Sequence, residues 1–138
     1  MQINIRNFYH SSGGKISNEG NLQIEKKILD NFNFPKSLKL IKIDTEGHEN
    51  KVLEGSIKSI NKYSPDIILE INEHSFNDSM NLLKEFKYKF YFIDEDKNKI
   101  TIINKFNKNL IRKEGSNCFA TNQEDKKIEK LFNALELS

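Results

Sequence analysis

The sequence predicts an α/β domain: a partial, doubly wound mixed sheet with an antiparallel element near the C-terminus. Three observations carry that expectation. Two short and nearly continuous apolar runs, Leu38–Ile43 and Asp66–Ile71, read as strands covered on both faces. Between and after them lie stretches whose apolar residues recur at helical spacing. Two later runs, Lys89–Ile93 and Ile100–Ile103, flank the turn Asp94–Asn98 and read as a hairpin. Strand–helix alternation implies parallel strands with helices on both faces, and the hairpin makes the sheet mixed.

Taken in order, residues 1–21 form a loop-rich lead-in, with Ser11, Ser12, Gly13, Gly14 and Gly20. Ile3 and Ile5 alternate with polar residues, as in a short strand. The segment Leu22–Phe32 fits two patterns. Leu22 and Ile24 alternate, whereas Ile24, Ile28, Leu29 and Phe32 keep helical spacing. Pro35 ends it. After the strand Leu38–Ile43 comes a turn, Asp44–Gly47, and then a helix with Val52, Leu53, Ile57 and Ile60 on one face. That helix stops before Ser64-Pro65, because proline disfavours helical backbone in the residue ahead of it.

A second helix is expected at Phe76–Phe86, with Phe76, Met80, Leu83 and Phe86 inward and Ser75 as its N-cap. Ser116–Thr121 reads as a last strand. Ile128, Leu131, Phe132 and Leu135 describe an amphipathic C-terminal helix within residues 123–138. The 138 residues therefore form one domain.

Composition removes several classes of function. Hydrophobic content of 36% and charged content of 30% describe a polar but globular chain rather than a disordered one. The 22 basic and 20 acidic residues intermingle to a net +2, with no basic stripe, so nucleic acid is not an expected partner. Arg6 and Arg112 are the only arginines, which argues against bidentate phosphate clamps. Cys118 is alone, which excludes an internal disulfide and a cysteine-based zinc site. No apolar run approaches the roughly 20 residues of a membrane span, and the polar N-terminus is unlike a signal peptide. The expected localisation is cytoplasmic.

The chemistry concentrates after Leu38–Ile43. Asp44, Glu46, His48 and Glu49 fall within six residues, at the carboxyl end of a strand, where α/β sheets bind ligands. Asp44 is suited to hold a substrate hydroxyl or a cation, and His48 to act as general base near neutral pH. Plainer roles compete: Glu46 and Glu49 also suit the first turn of any helix, and His48 an exposed turn. Gly47 permits backbone that a Cβ would block. Glu70 and Asn72 form a second polar cluster at the next strand end. Adjacent strands lie about 4.8 Å apart, so Asp44 and Glu70 are candidate ligands for a shared Mg²⁺ or Ca²⁺.

The run Lys42-Ile43-Asp44-Thr45-Glu46-Gly47-His48-Glu49, then Val52-Leu53-Glu54-Gly55, then Pro65-Asp66-Ile67-Ile68-Leu69-Glu70-Ile71, resembles the central signature of FkbM-type methyltransferases. Ile28-Leu29-Asp30 is similar to that family's upstream Thr-Leu-Asp element, and Asn117-Cys118-Phe119-Ala120 to its terminal strand. The similarity extends over about residues 24–122. It implies a Rossmann-like methyltransferase fold, S-adenosylmethionine as cofactor, and O-methylation of a sugar, polysaccharide or polyketide-like hydroxyl. On this reading Asp44, Glu46 and His48 are the catalytic candidates, and Glu49, Glu70 and Asn72 the substrate-binding ones.

One departure qualifies the resemblance. Such enzymes hold the cofactor with a glycine-rich loop after the first strand and an acid after the second. Neither is evident here, since Gly13-Gly14 follows no hydrophobic strand. The expectation is the second half of a methyltransferase domain, truncated or split. A non-catalytic remnant or assembly module is the alternative, and a metal-dependent hydrolase on Asp44, Glu46, His48 and Glu70 the weakest reading. Without its neighbour, the strand Leu38–Ile43 becomes an open edge. It is then expected to self-associate, to pair with a separate half, or to be covered by Ile3 and Ile5 or by Leu22 and Ile24.

Overall fold

The computed structural model describes residues 2–4, 15–17, 22–23, 25–34, 36–45, 47–97, 99–128 and 130. Strands β1 (Gln2–Asn4), β2 (Lys15–Ser17) and β3 (Leu22–Gln23) make a small antiparallel sheet ordered β2-β1-β3. The strand expected around Ile3 is thus present, while Ile5 and Ile24 lie outside the described residues. The helical alternative for Leu22–Phe32 does not form. β3 is followed instead by one 3₁₀ turn, Leu29–Asn31. Tertiary bonds decide this: Asp30 donates its N–H to the Gly55 carbonyl at 3.0 Å.

The main sheet has five strands: β4 (Leu40–Ile43), β5 (Asp66–Ile71), β6 (Lys89–Asp94), β7 (Lys99–Ile103) and β8 (Ser116–Thr121). Their order is β4-β5-β8-β6-β7. Only β4 and β5 are parallel neighbours; β8 enters between β5 and β6 antiparallel to both, and β6–β7 is the expected hairpin.

The helix expected after the acidic turn is two helices, α1 (Glu49–Glu54) and α2 (Ile57–Tyr63). Gly55 and Ser56 break it, with Ser56 Oγ donating back to the Val52 carbonyl at 2.5 Å. Ser64 turns left-handed (φ 47°) ahead of Pro65, which ends α2 as the proline predicts. Helix α3 (Phe76–Lys84) follows β5 with Phe76, Met80 and Leu83 buried. Ser75 stands at its N-cap position without a side-chain cap bond.

Leu53, Ile60, Phe76 and Leu83 pack against Ile41, Ile43, Ile67, Leu69 and Phe90 in one core. Helices α1, α2 and α3 therefore cover a single face. Handedness explains this. The crossovers β4–β5 and β5–β6 step in the same direction across the sheet, and right-handed crossovers in one direction put their helices on one side. On the opposite face Tyr91 and Phe119 pack with Ile128, from a helical turn at residues 125–128. Leu131, Phe132 and Leu135 of the expected C-terminal helix lie outside the described residues.

β4 lies at the sheet edge and is buried on one face only: Ile41 and Ile43 are inside, while Leu40 is 52% exposed. β1 and β3 pair with each other and not with β4. No helix among the described residues is long and apolar enough to cross a membrane.

Candidate active site at the carboxyl ends of the parallel strands

β8 is antiparallel to both β5 and β6, so β6 runs in the direction of β4 and β5. The carboxyl ends of all three strands open on one rim of the sheet. That rim brings together the turn after β4, Glu70 and Asn72 at the end of β5, and Asp94 at the end of β6.

Glu49 organises the first turn. It is only 1% exposed, and its Oε1 accepts three hydrogen bonds: Thr45 N–H (3.1 Å), Thr45 Oγ1 (3.2 Å) and Gly47 N–H (3.1 Å). A buried carboxylate with charge-assisted bonds to backbone N–H groups is a strong local clamp. Gly47 sits at φ +94°, open to glycine and strained for other residues. Glu49 is thus turned inward, holding the turn that displays its neighbours.

Asp44 is exposed and ion-paired with Lys42 Nζ at 2.7 Å. Glu46 lies outside the described residues. His48 is half-buried, and its Nδ1 is sealed from solvent without a hydrogen-bond partner among the described residues. The imidazole borders a cavity of about 420 Å³, with Ile28, Leu29, Phe32 and Val52 on its walls.

Glu70 and Asn72 have different surroundings. Asn72 Oδ1 accepts the N–H groups of His74 (2.9 Å) and Ser75 (3.0 Å), and its own N–H donates to Ser75 Oγ at 3.1 Å. These bonds turn the chain from β5 into α3. Glu70 lies across from Asn117 in the β5–β8 register and packs over Gly115, whose φ is +133°. Around it lies a cavity of about 200 Å³, bounded also by Asp94, Glu95 and Arg112. Asn117 Nδ2 donates to Glu95 Oε1 at 2.6 Å, and Arg112 pairs with Asp96 at 2.9 Å. The hydrogen bond from Lys97 holds the Asp94 carboxyl below the usual carboxylate range.

Sequence reasoning noted Arg112 and Asn117 for other reasons and placed neither of them, nor Gly115, at the site. The available signals were the rarity of arginine in this chain and a glycine directly ahead of a strand. Among the described residues no group of three or more histidine, cysteine or acidic side chains could hold a metal ion. Among the described residues the cation expected between Asp44 and Glu70 has no third such ligand.

The other motif element is structural. Asp30 Oδ1 and Oδ2 accept the N–H groups of Ser59 (2.8 Å) and Lys58 (2.9 Å), in the first turn of α2. Burial works to raise this carboxyl, and the two backbone bonds outweigh it, so it sits below its ordinary value.

The model of the methyltransferase FkbM domain family matches residues 4–90. The matched stretch begins upstream of Ile24 and includes β4, β5 and all three helices, while Asn117–Ala120 falls beyond it. No curated protein and no solved structure matches the chain significantly. With more than half of its residues matched, and the signature turn set at a strand's carboxyl end, the chain belongs to the FkbM methyltransferase family.

Proposed function

We propose that this chain carries the acceptor side of an S-adenosylmethionine-dependent O-methyltransferase acting on a sugar, polysaccharide or polyketide-like hydroxyl. The observation that carries the reading is the turn after β4. A buried Glu49 clamps it through three hydrogen bonds, two of them from backbone N–H groups, and Asp44 stays exposed on the rim. Effort spent on holding a surface turn rigid fits a site that must position a reactant.

Family membership suggests S-adenosylmethionine as the cofactor; when bound, it supplies an electrophilic methyl group. The described residues contain no glycine-rich strand–turn–helix, so we assign the main cofactor contacts elsewhere. The residues present suit the hydroxyl. Asp44 would accept a hydrogen bond from it and raise electron density on the oxygen. His48, whose Nδ1 is sealed from solvent, is the candidate to take the proton. Glu46 belongs to the same turn as a further acid, and Glu70 and Asn72 border the substrate from β5. No step is assigned to Mg²⁺.

The test has two parts. Isothermal titration of the chain with S-adenosylmethionine is expected to give binding weaker than a dissociation constant of about 1 μM. Transfer from methyl-labelled S-adenosylmethionine to a panel of glycans and polyketide alcohols is then measured, adding any polypeptide that restores tight cofactor binding. Asp44→Asn should lower turnover by about 10²-fold or more while the fold persists. Unchanged turnover in Asp44→Asn would leave the rim without a catalytic role.

A further inference from the structure

One flank of α1 opens on an apolar hollow with a basic rim. Asn50, on another side of the helix, meets α3 through Ser79 Oγ, which donates to its Oδ1 at 2.5 Å. His48, Lys51, Val52 and Gly55 follow one another at helical spacing and form a single stripe. That stripe is one wall of the 420 Å³ cavity, and residues 25–32 supply the other. Leu29 and Val52 pack against the main core and make the floor. Ile28 and Phe32 stand at the sides, 45% and 51% exposed. Only five large apolar side chains among the described residues are exposed, so two of them at one hollow is a concentration.

Gly55 keeps the hollow open. Its φ of −79° suits any residue. A Cβ there would nevertheless stand 3.3 Å from Ile28 Cγ2, close enough that Ile28 would have to give way.

The rim has a sign. Lys26, Lys27 and Lys51 border the cavity, against Glu25 as the one acid among its described walls. Lys27 pairs with Glu25 at 3.2 Å and Lys51 with Glu54 at 3.0 Å, while Lys26 is in no ion pair among the described residues. Exposed pairs of this kind hold weakly and yield to a competing anion. Lysine stems also lie well along apolar surface with the ammonium group in water. The cavity beside Glu70 has the opposite character, with Asp94 and Glu95 also on its walls.

We propose that the hollow on α1 binds a small amphipathic anion. Its apolar chain or ring lies on Leu29, Val52 and Phe32, and its carboxylate meets the ammonium groups of Lys26, Lys27 and Lys51. The volume falls within the roughly 300–1,000 Å³ usual for small-ligand sites. A neutral apolar molecule would leave the basic rim unused, and a cation would meet like charge. Asp44 is not among the walls, so this site is independent of the methyl-transfer reading.

The test is titration of the full, ¹⁵N-labelled chain with octanoate, octanol and octylammonium in turn, following the amide signals of Ile28, Val52 and Gly55. Octanoate should bind with a dissociation constant of about 1 mM or tighter. It should bind about threefold or more tighter than octanol, with octylammonium weakest. Lys26→Glu combined with Lys51→Glu should remove the preference for octanoate over octanol. Lys99→Glu combined with Lys105→Glu makes the same change in net charge in and just after β7, and should leave that preference intact. Gly55→Leu should weaken octanoate and octanol alike, with unchanged far-ultraviolet circular dichroism. Octanoate binding weaker than about 10 mM would overturn the proposal. So would octylammonium binding as tightly as octanoate, or a preference that survives the Lys26 and Lys51 reversals or is lost equally in the Lys99 and Lys105 ones. A folded Gly55→Leu chain that binds octanoate as before would overturn it as well.

Discussion

The carboxylate of Asp30 accepts the backbone N–H of Ser59 at 2.8 Å across 29 residues of sequence. Ser56 occupies the N-cap position of α2 but makes no cap bond there, since its hydroxyl donates to the Val52 carbonyl. Asp30 does the capping from outside the helix, through the second and third N–H groups that an N-cap side chain would ordinarily satisfy. This gives the Ile28-Leu29-Asp30 element a physical role. It ties the segment ahead of β4 to the α1–α2 junction, below which the core residue Ile60 is fully buried.

Asp30→Ala should therefore cost about 0.5–2 kcal/mol, the usual worth of a cap, seen as a lower urea midpoint at unchanged slope. The pH dependence has a defined sign. The folded carboxyl titrates below the ordinary value of 3.8, so its contribution is complete above that value and is lost as pH falls through the folded one. Asp30→Asn should flatten the fall in stability below about pH 4.

Glu49 predicts a different pattern. Glu49→Ala leaves the Thr45 and Gly47 N–H groups without their acceptor, at a cost of about 1–3 kcal/mol. Glu49→Gln keeps a carbonyl oxygen in place and should cost less. Urea unfolding of the two variants provides the comparison. A Gln variant as unstable as the Ala variant would mean that the charge, not the geometry, holds the turn.

Gly115→Ala combines two penalties. Its Cβ would lie 2.5 Å from Glu70 Cδ, and its φ of +133° disfavours any side chain. A loss of about 1–3 kcal/mol is expected. Adding Glu70→Ala should recover the steric part and leave the backbone part. A double-mutant cycle on thermal unfolding separates them. Exact additivity would show that Glu70 moves aside freely.

The alkaline limit is set in the core. Tyr88 donates its hydroxyl to the Pro65 carbonyl at 2.6 Å, and burial, with the nearby Asp66 charge, pushes its titration up to about 12. The neutral phenol's contribution is complete below the ordinary value of 10.0 and is lost as pH rises towards about 12. Tyr88→Phe should lower stability at neutral pH by roughly 0.5–1.5 kcal/mol and remove part of the alkaline decline. Cys118, fully buried with its thiol pushed up by burial, should react with thiol reagents only on unfolding.

The strands were the most legible part of the fold. Leu38–Ile43, Asp66–Ile71, the hairpin and Ser116–Thr121 each combine a short apolar run with polar ends, a pattern local enough to read directly. Helix continuity was less so. The apolar face from Val52 to Ile60 runs through Gly55 and Ser56 without a break in period, and the interruption arises from bonds made by Asp30, far upstream. In the site, the motif marked the turn but not the division of labour within it. Asp44 and Glu49 are both acids beside one glycine, and only burial distinguishes the exposed residue from the clamp.

By itself, the sequence determined the family, the order of the five main-sheet strands and the helical stretches between them, and the acidic turn at a strand's carboxyl end. These depend on residues close together in the chain, where period and spacing carry the information. Tertiary structure decided the rest: β8 between β5 and β6, α1, α2 and α3 on one face, β4 at the edge, and Glu70 against Gly115. Each is a pairing between distant segments. Such pairings are chosen by the combined burial of many apolar side chains and by the handedness of crossovers, quantities that no local window of sequence contains.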